Sequence, residues 1–600
     1  MSLAQRWTWD LEAPRDRLWR YLADTDWVNR HAGLPPIQGR FEPLAGGGTR
    51  RIASFGRRPL SVEWEERPTR WEAPVFFAVE RDYIRGPLRR FRSTTALEPI
   101  DANRTRVTVD VLLEAASIVT DALLPLLALH GKRGADRAFR QAARLVRREL
   151  ADGTRASAGP ADLGPWQRVV DGGADRTIVT RIAKFIDESE DRELQRMRPY
   201  ELADGWQLPR RAVLTAFLTA TRAGLFNLRW SVLCPACRGP SEPAESLSGL
   251  QRAYHCEACN VGFGPAFDRS VEVTFDARPL GRSGDVAIFC IANPQRSAHV
   301  HAQTALAPRS ESTLTVTLPP RSYVLRAVGS GETPFVASSD ESVREIAAIV
   351  RDAGVALPAV VATGAVLLRI ANESDREVIV RIEDGRWPDT IVTAAQVTAL
   401  QEFRDLFSSE VLAPGLDLGI ETLAVLFTDV VGSTAIYSRT GDAPAFRIVT
   451  DHFSAIRDTV ARFEGTIVKT IGDAVMAAFV DPVRCLEAAL ALDRCVRPID
   501  AAGAPLRLRV GFHAGPCIAM RANDRIDYFG TTVNLAARLQ KLAGAGEVAL
   551  ARSIAERPEM AAILSVLETT VAHQTLEIKG FPQRIDVVRI APTGTSSASS

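Results

Sequence analysis

Apolar and polar residues alternate with a period of two in the first part of the chain, a pattern typical of strands with one buried face. It predicts five strands, at residues 48–55, 60–66, 75–83, 88–99 and 105–114. A helix begins near Pro14, a residue that suits a first helical turn, and a long helical pattern runs to residue 150. Residues 1–153 are therefore predicted to form an α+β domain that ends in a long helix.

The pattern changes twice in the middle of the chain. Residues 154–165 are rich in glycine, proline and small residues, which predicts a linker. Helical patterns at 187–198 and 209–223 and a strand at 228–233 then predict a helical, winged-helix-like unit over residues 166–268. Residues 269–390 are expected to form a β-rich, sandwich-like region, with strands at 271–275, 286–291, 312–318, 322–328, 365–371 and 377–382.

A three-and-four spacing of apolar residues returns at residues 391–415 and predicts a connecting amphipathic helix. Thr393-Ala-Ala-Gln396 has the form of a capping box at its start. The apolar stripe consists of Val397, Leu400, Phe403, Phe407 and Val411. Such a stripe either pairs with the same helix of a second copy or packs against its own domain, and the sequence leaves both alternatives open.

Length and charge narrow the class of protein. A chain of 600 residues is too long for one hydrophobic core and predicts roughly three to five domains. The longest apolar stretches fall short of the roughly 20 residues that a membrane span needs, and no signal-peptide pattern follows the N-terminus. A cytoplasmic protein without a membrane partner is expected. The net charge of +1 argues against a general nucleic-acid surface, so DNA is not expected as a partner.

Four of the eight cysteines form two Cys-x-x-Cys pairs, Cys234 with Cys237 and Cys256 with Cys259, separated by an 18-residue gap. This spacing is typical of a zinc ribbon, in which two turns each offer two thiolates to one tetrahedral ion. Four sulfur ligands would leave no open coordination position, so the predicted Zn²⁺ is structural. The alternative is a group of four buried thiols without a metal.

Two acidic residues in the last third of the chain occupy positions that suit hard cations. Asp429 ends a short apolar strand beside a turn. The backbone amides of that turn, at Gly432, Ser433 and Thr434, lie at a helix start and can face phosphate oxygens. Asp473 is placed at the tip of a predicted β-hairpin, where antiparallel pairing could bring it beside Asp429. Two such carboxylates can bridge two metal ions.

Two further segments carry polar residues at fixed places. A predicted strand over residues 506–515 contains Arg509. Asp527 opens a turn that leads into a helix, on which Asn534 and Arg538 lie four residues apart and therefore on one face.

The segments FTDVVGST, VKTIGDAVMAAF, LRVGFHAG and DYFGTTVNLAARL follow one another over about 160 residues. In this order they resemble the class III adenylyl cyclases, whose catalytic domain has a ferredoxin-like palm core. The resemblance covers residues 416–592, and residues 593–600 are expected to form a disordered tail.

The resemblance implies a role for each matching residue. Asp429, Asp473 and the carbonyl of Val430 would bind two Mg²⁺ or Mn²⁺ ions. Arg509 and Lys579 would contact the triphosphate. Asn534 and Arg538 would come from the other protomer of a homodimer, to orient the ribose and to neutralise charge at the transferring phosphorus.

Lys469 and Asp527 match the pair that reads the base. Adenine presents an acceptor at N1 and a donor at its amine, which complements a lysine donor and an aspartate acceptor. Guanine presents the reverse order, so ATP is predicted as the substrate rather than GTP. Lys469 lies only four residues before Asp473, and one hairpin is not expected to aim both at one site. This indicates two composite sites in each homodimer.

The N-terminal element order, with Trp19, Trp27, Trp64 and Trp71, resembles the START-like helix-grip family. That resemblance implies a cavity for an apolar small molecule. A zinc ribbon ahead of a cyclase is also similar to bacterial cyclases that carry a regulatory module. The whole chain is thus predicted to be a multidomain α+β adenylate cyclase with sensing domains. The alternatives are a guanylyl cyclase, a weak or inactive cyclase-like nucleotide sensor and a zinc-ribbon, winged-helix DNA-binding regulator.

Overall fold

The computed structural model describes residues 2–43, 49–56, 61–152, 164–266, 269–278, 294–407, 410–413, 416–500, 503–566, 569–577, 581 and 583–592. The predicted strand at 286–291, nearly all of the predicted linker, Lys579 and the predicted tail lie outside these residues. Among the residues described, no helix has both the length and the apolar character to cross a bilayer.

Residues 2–152 form an antiparallel sheet closed by a long helix. The elements are β1 (Ser2–Leu11), α1 (Arg15–Leu22), α2 (Thr25–His31), β2 (Gln38–Pro43), β3 (Thr49–Phe55), β4 (Val62–Glu66), β5 (Arg70–Glu72), β6 (Phe76–Arg85), β7 (Leu88–Asp101), β8 (Arg104–Ala115), α3 (Ile118–Asp121) and α4 (Leu124–Asp152). The strands run in the order β1-β8-β7-β6, and β4 joins β6 to β3 and β2. The alternating residues Val107, Val109 and Val111 of β8 are buried in one core with residues of α4. The five predicted strands and the closing helix are confirmed.

A helical unit follows and carries two short β-pairs. Its elements are α5 (Gln167–Asp171), α6 (Arg176–Glu188), α7 (Pro199–Trp206), α8 (Arg210–Arg222), β9 (Phe226–Val232), β10 (Tyr254–Cys256), β11 (Val261–Phe263) and β12 (Val271–Ala277). The helix predicted at 209–223 is confirmed as α8. Strand β12 pairs antiparallel with β9, so it belongs with this unit and lies across the boundary predicted at residue 268.

The helix predicted at 187–198 is wrong, because α6 covers the preceding residues and ends at Glu188. The backbone after it is needed for a tertiary contact. Met197 forms a bridge with Phe275 of β12, and the guanidinium groups of Arg196 and Arg198 bind the carboxylate of Glu272, which is fully buried. The backbone turns at Arg196, which has a φ of +56°, so a continuous helix, with φ of about −63°, could not follow the path that brings both arginines to Glu272.

Two sheets make up the next region and face each other across one apolar core. The strands are β13 (Val300–Leu306), β14 (Glu311–Leu318), β15 (Arg321–Ala327), β16 (Gly331–Ser338), β17 (Glu345–Arg351), β18 (Gly354–Ala356), β19 (Val360–Ala362), β20 (Gly364–Asn372) and β21 (Val378–Asp384). One sheet has the order β14-β20-β17-β18. The other, β13-β21-β15-β16-β19, continues into the N-terminal sheet because β13 pairs with β5, and the joined sheet has 13 strands.

The connecting segment forms two short helices, α9 (Ala394–Thr398) and α10 (Gln401–Leu406), so the single helix predicted through Val411 is wrong. The predicted capping box of Thr393 and Gln396 is confirmed. Leu400 breaks the helix with an extended backbone, φ −89° and ψ 131°. Its neighbour Phe403 is 1% exposed and packs edge-on against Trp230. Val397, Leu400 and Phe403 are therefore buried by their own chain, which leaves these three residues of the stripe unavailable for a paired helical seam.

The C-terminal domain has a central sheet with helices on both faces. Its elements are β22 (Leu418–Val430), α11 (Ser433–Thr440), α12 (Asp442–Arg462), β23 (Thr466–Ile471), β24 (Ala474–Phe479), α13 (Pro482–Val496), β25 (Leu508–Ala522), β26 (Arg525–Phe529), α14 (Thr531–Leu542), β27 (Val548–Ala551), α15 (Arg552–Ala555), α16 (Pro558–Val566), β28 (Thr569–Leu576) and β29 (Ile585–Pro592). The sheet order is β23-β24-β22-β25-β27-β29-β28, and β26 pairs with β25. Successive residues of β22 enter different cores: Leu426 packs with α12 and α13, and Phe427 with α14 and the connecting segment.

Candidate active site and metal centre

Asp429 and Asp473 lie at the same edge of the C-terminal sheet. Strand β22 pairs with β24 up to Thr428 opposite Val475, so the next step of the ladder places Asp429 beside the turn that contains Asp473. Nη2 of Arg509 donates to Oδ2 of Asp429 at 2.8 Å, and Oδ2 of Asp473 is buried with no hydrogen-bond partner among the residues described. Asp429 is thus paired with a guanidinium, and Asp473 has a buried oxygen without a partner in the described part of the chain. Two such carboxylates at one edge suit the binding of divalent cations.

The turn after β22 leads directly into α11. Gly432 precedes this helix with a φ of +71°, a left-handed conformation that suits glycine, and no side chain caps the helix. The amide groups of Ser433 and Thr434 stand in the first turn, where uncapped donors favour an anion such as phosphate.

Lys469 and Asp527 meet although β23 and β26 are not neighbours in the sheet. Nζ of Lys469 lies 2.5 Å from Oδ2 of Asp527 and 5.5 Å from the centre of the Phe529 ring. Asp527 is 8% exposed, and its Oδ1 accepts a hydrogen bond from the backbone amide of Tyr528 at 2.8 Å. The pair therefore presents a donor and an acceptor side by side in a fixed orientation.

Asn534 and Arg538 share one face of α14. Asn534 is exposed and Arg538 is half-buried, whereas the neighbouring Val533, Ala536 and Leu539 are buried in the domain. Within the part of the chain described, no hydrogen bond or ion pair joins either side chain to Asp429, Asp473, Lys469 or Asp527.

Two buried residues that support this site carry no motif signal. His452 on α12 is fully buried, with Nε2 3.2 Å from the carbonyl oxygen of Asp473 and Nδ1 2.6 Å from that of Val449, and burial lowers its pKa. Asp493 on α13 accepts from Nε of Arg507 at 3.1 Å and from the amide of Leu508, also at 3.1 Å, which fixes the start of β25. In the sequence, Asp493 could have been recognised as a buried polar group only because it is a charged residue on an otherwise apolar helix face.

The four cysteines of the two Cys-x-x-Cys pairs converge, with all Sγ atoms within 4.8 Å of one another. Sγ of Cys237 and Sγ of Cys256 are 3.7 Å apart, close to the roughly 3.8 Å between two sulfurs that each lie about 2.3 Å from a tetrahedral zinc. A hydrogen bond with Cys237 lowers the pKa of Cys234, and the amide of Ala236 also donates to its sulfur at 3.4 Å. The group fits a closed structural zinc site.

A cavity of about 360 Å³ lies inside the N-terminal sheet against α4. Most of its lining is apolar, including Trp7, Leu22, Trp64, Phe77, Val109, Leu113 and Phe139. Arg81 also lines it and is held by the buried carboxylate of Glu66, with Nε 3.1 Å from Oε2. The cavity thus suits an apolar molecule, because its charged groups already satisfy each other.

Two parts of the chain match known families. Residues 419–584 match the family described as the adenylate and guanylate cyclase catalytic domain. Residues 164–285 match a family of unknown function, DUF5939.

Among curated proteins, the chain is 34% identical over 161 residues to an uncharacterized protein of Mycobacterium tuberculosis, which is 27% of this chain and 39% of that protein. It is 34% identical over 137 residues to adenylate cyclase 2 of Rhizobium meliloti, which is 20% of this chain and 37% of that protein. The chain therefore spans well under half of these relatives. Among solved structures, the adenylyl cyclase CyaB from P. aeruginosa is 23% identical, with 30% of this chain and 97% of that chain covered and a TM-score of 0.26.

Proposed function

Since residues 419–584 form an adenylate and guanylate cyclase catalytic domain, we propose that the protein is an adenylate cyclase, which converts ATP to 3',5'-cyclic AMP and pyrophosphate. The choice of ATP is supported by the contact of Lys469 with Asp527 at 2.5 Å. The lysine keeps protons for adenine N1, and the aspartate keeps lone pairs for the adenine amine. Guanine would face the same pair with its donor and acceptor exchanged, which leaves polar groups unpaired.

Asp429, Asp473 and the carbonyl of Val430 would hold two Mg²⁺ or Mn²⁺ ions. Metal ions at such a site activate a hydroxyl for attack and neutralise a phosphate leaving group. The guanidinium of Arg509, which binds Asp429 in the free protein, would bind the triphosphate instead when the nucleotide is present, since it can pair with either anion. The free amides at Ser433 and Thr434 would bind phosphate oxygens at the start of α11.

The composite site requires a homodimer in this proposal. Among the described residues, Asn534 and Arg538 make no hydrogen bond or ion pair with Asp429 or Asp473 of their own chain. In this proposal they serve the site of a second copy, with Asn534 on the ribose and Arg538 on the transferring phosphorus. Mixing Asp429→Ala protein with Arg538→Ala protein tests this arrangement. Random pairing gives half mixed dimers with one intact site of two, so about a quarter of the unmodified activity is expected. Activity that stays at the level of the separate variants would contradict the composite site.

Product analysis tests the reaction itself. The purified full chain is incubated with Mn²⁺ and either ATP or GTP, and products are identified by mass spectrometry. Cyclic AMP from ATP is expected, with little cyclic GMP from GTP, and Asp429→Ala is expected to abolish both. Unchanged cyclic AMP formation by that variant would refute the two-metal assignment.

We also propose that the four cysteines hold a structural Zn²⁺ and that the N-terminal cavity binds an apolar small molecule that regulates the cyclase. A cavity-filling variant, Thr95→Trp, should abolish any response of the activity to fatty-acid-like ligands and leave the basal rate. Thr95 is 4% exposed and lines the cavity. A response that survives in this variant would place the ligand elsewhere.

The DNA-binding alternative receives no support from α8, the helix that would have to read bases. Val213, Leu214, Phe217 and Leu218 are fully buried, and Arg210 at its start pairs with Asp204 at 2.6 Å. A recognition helix needs an exposed face that reaches base edges.

A further inference from the structure

The connecting segment touches the strand that carries Lys469. Oε1 of Gln401 on α10 accepts from the backbone amide of Ile467 at 3.0 Å and from Oγ1 of Thr466 at 3.2 Å. Strand β23 is the edge of the sheet, so this side chain satisfies an edge amide that no strand pairs. The ladder between β23 and β24 shifts between Ile467 and Lys469, and such a bulge re-aims the residue that follows it. Gln401 therefore fixes the backbone at the point that sets the direction of Lys469.

The same segment also touches the strand that carries Asp527. Arg404, one turn after Gln401, donates from Nη1 to the carbonyl of Ile526 at 3.3 Å and from Nη2 to the hydroxyl of Tyr528 at 3.4 Å. Its guanidinium lies 5.8 Å from the centre of the Tyr528 ring. Ile526 and Tyr528 are the residues immediately before and after Asp527. Nε of Arg404 is held by the carbonyl of Thr398 at 2.9 Å, so the guanidinium is fixed in place.

The helical unit in turn holds α10. Arg211 on α8 donates from Nη2 to Oε1 of Glu402 at 3.0 Å and from Nη1 to the carbonyl of Ala461 near the end of α12. Phe403 of α10 packs edge-on against Trp230 of β9. Both belong to one apolar core, which also includes the β23 residue Val468. A shift of α8 would thus be passed to both strands of the pair through rigid contacts.

We infer that Gln401 and Arg404 are positioning residues for the Lys469 and Asp527 pair, through which the helical unit sets the affinity and selectivity for the nucleotide base. The inference rests on the proposed role of that pair. Among the described residues, no hydrogen bond or ion pair joins Gln401 or Arg404 to Asp429 or Asp473, so metal activation should be independent of both.

The variants Gln401→Leu, Gln401→Glu, Arg404→Ala and Arg404→Lys test this in the full chain. Gln401→Leu removes the acceptor, whereas Gln401→Glu retains it; Arg404→Lys keeps the charge but not the fork of donors. Gln401→Leu and Arg404→Ala are each expected to raise the KM for ATP about three- to tenfold and to lower the preference for ATP over GTP. The half-saturating Mn²⁺ concentration should stay unchanged, and Gln401→Glu should restore most of the KM.

Arg210→Ala is the matched control, since Arg210 belongs to the same unit but binds Asp204 and Asp389 and lies over the ring of Tyr200, with no hydrogen bond to α10 among the described residues. It should leave the KM and the selectivity unchanged. A lower melting temperature with unchanged KM and selectivity in Gln401→Leu and Arg404→Ala would overturn the inference, because it indicates a structural role alone. A rise in the half-saturating Mn²⁺ concentration as large as the rise in the KM for ATP would also overturn the inference.

The unmodified chain separates this inference from the proposed function. If it forms no cyclic AMP or prefers GTP, the proposed function is wrong. Calorimetric titration with an ATP analogue that cannot cyclise then still decides the inference: a weaker affinity in Gln401→Leu and Arg404→Ala supports it, and equal affinities refute it.

Discussion

Replacement of Lys469 by methionine removes the donor of the pair that is proposed to read the base and keeps most of the side-chain length. The lysine side chain is 37% exposed and that of Asp527 is 11% exposed, so the contact is only partly shielded from water. A hydrogen bond between charged groups contributes about 1.5–3 kcal/mol, and the exposure of the lysine favours the lower value. We therefore expect kcat/KM for ATP to fall about tenfold, with little change for GTP.

The assay is the initial rate of cyclic AMP and cyclic GMP formation by chromatography, over a range of each nucleotide at saturating Mn²⁺. Lys541→Met is the matched control, because Lys541 is an exposed lysine of the same domain. It removes the same charge without touching the pair. An equal loss for ATP and GTP in Lys469→Met, or a similar loss in Lys541→Met, would refute the base-reading argument.

Three further outcomes are expected. Cys256→Ser should lower the zinc content measured by atomic emission and the melting temperature, whereas Cys485→Ser, a buried cysteine outside the cluster, should leave the zinc content unchanged. Burial lowers the pKa of His299 to about 3 from 6.5. Below about pH 6.5 the imidazole is therefore protonated in the unfolded chain but stays neutral in the folded chain. The contribution of His299 to stability is thus fully present above that pH and falls as the pH is lowered. The free energy of unfolding should therefore decrease between pH 8 and pH 5 by about 2 kcal/mol less in His299→Asn than in the unmodified chain. His452→Phe should raise the half-saturating Mn²⁺ concentration several-fold, because the carbonyl of Asp473 loses its contact with the imidazole, and His452→Asn should raise it less.

Local patterns predicted the strands and helices that depend on them. The alternation in residues 105–114 and the capping box at Thr393 are properties of neighbouring residues, and both occur in the structure. The C-terminal motifs likewise mark the ends of β22 and the tip of the β23–β24 hairpin, so candidate residues such as Asp429 and Asp473 could be named from the sequence.

Contacts between distant segments could not be predicted in this way. The segment 187–198 has a helical pattern but does not form a helix, because Arg198 binds Glu272, which lies more than 70 residues away in the sequence. The apolar stripe predicted one helix through Val411, but the burial of Phe403 against Trp230 goes with a break at Leu400. His452 and Arg404 act on the site from helices without a motif, and a tertiary hydrogen bond leaves no periodic trace in the sequence.

The pairing of β13 with β5 bears on how the protein can be dissected. Ala302 lies opposite Glu72 and Gln303 opposite Trp71, and Nε1 of Trp71 donates to the carbonyl of Val300 at 3.1 Å. Removal of the first 155 residues would strip this partner from β13 and leave a free strand edge, which invites aggregation. Transplanting the N-terminal domain onto another protein would expose β5 in the same way. A test of the proposed regulation by the N-terminal domain should therefore replace single residues inside the cavity and leave the domain in place.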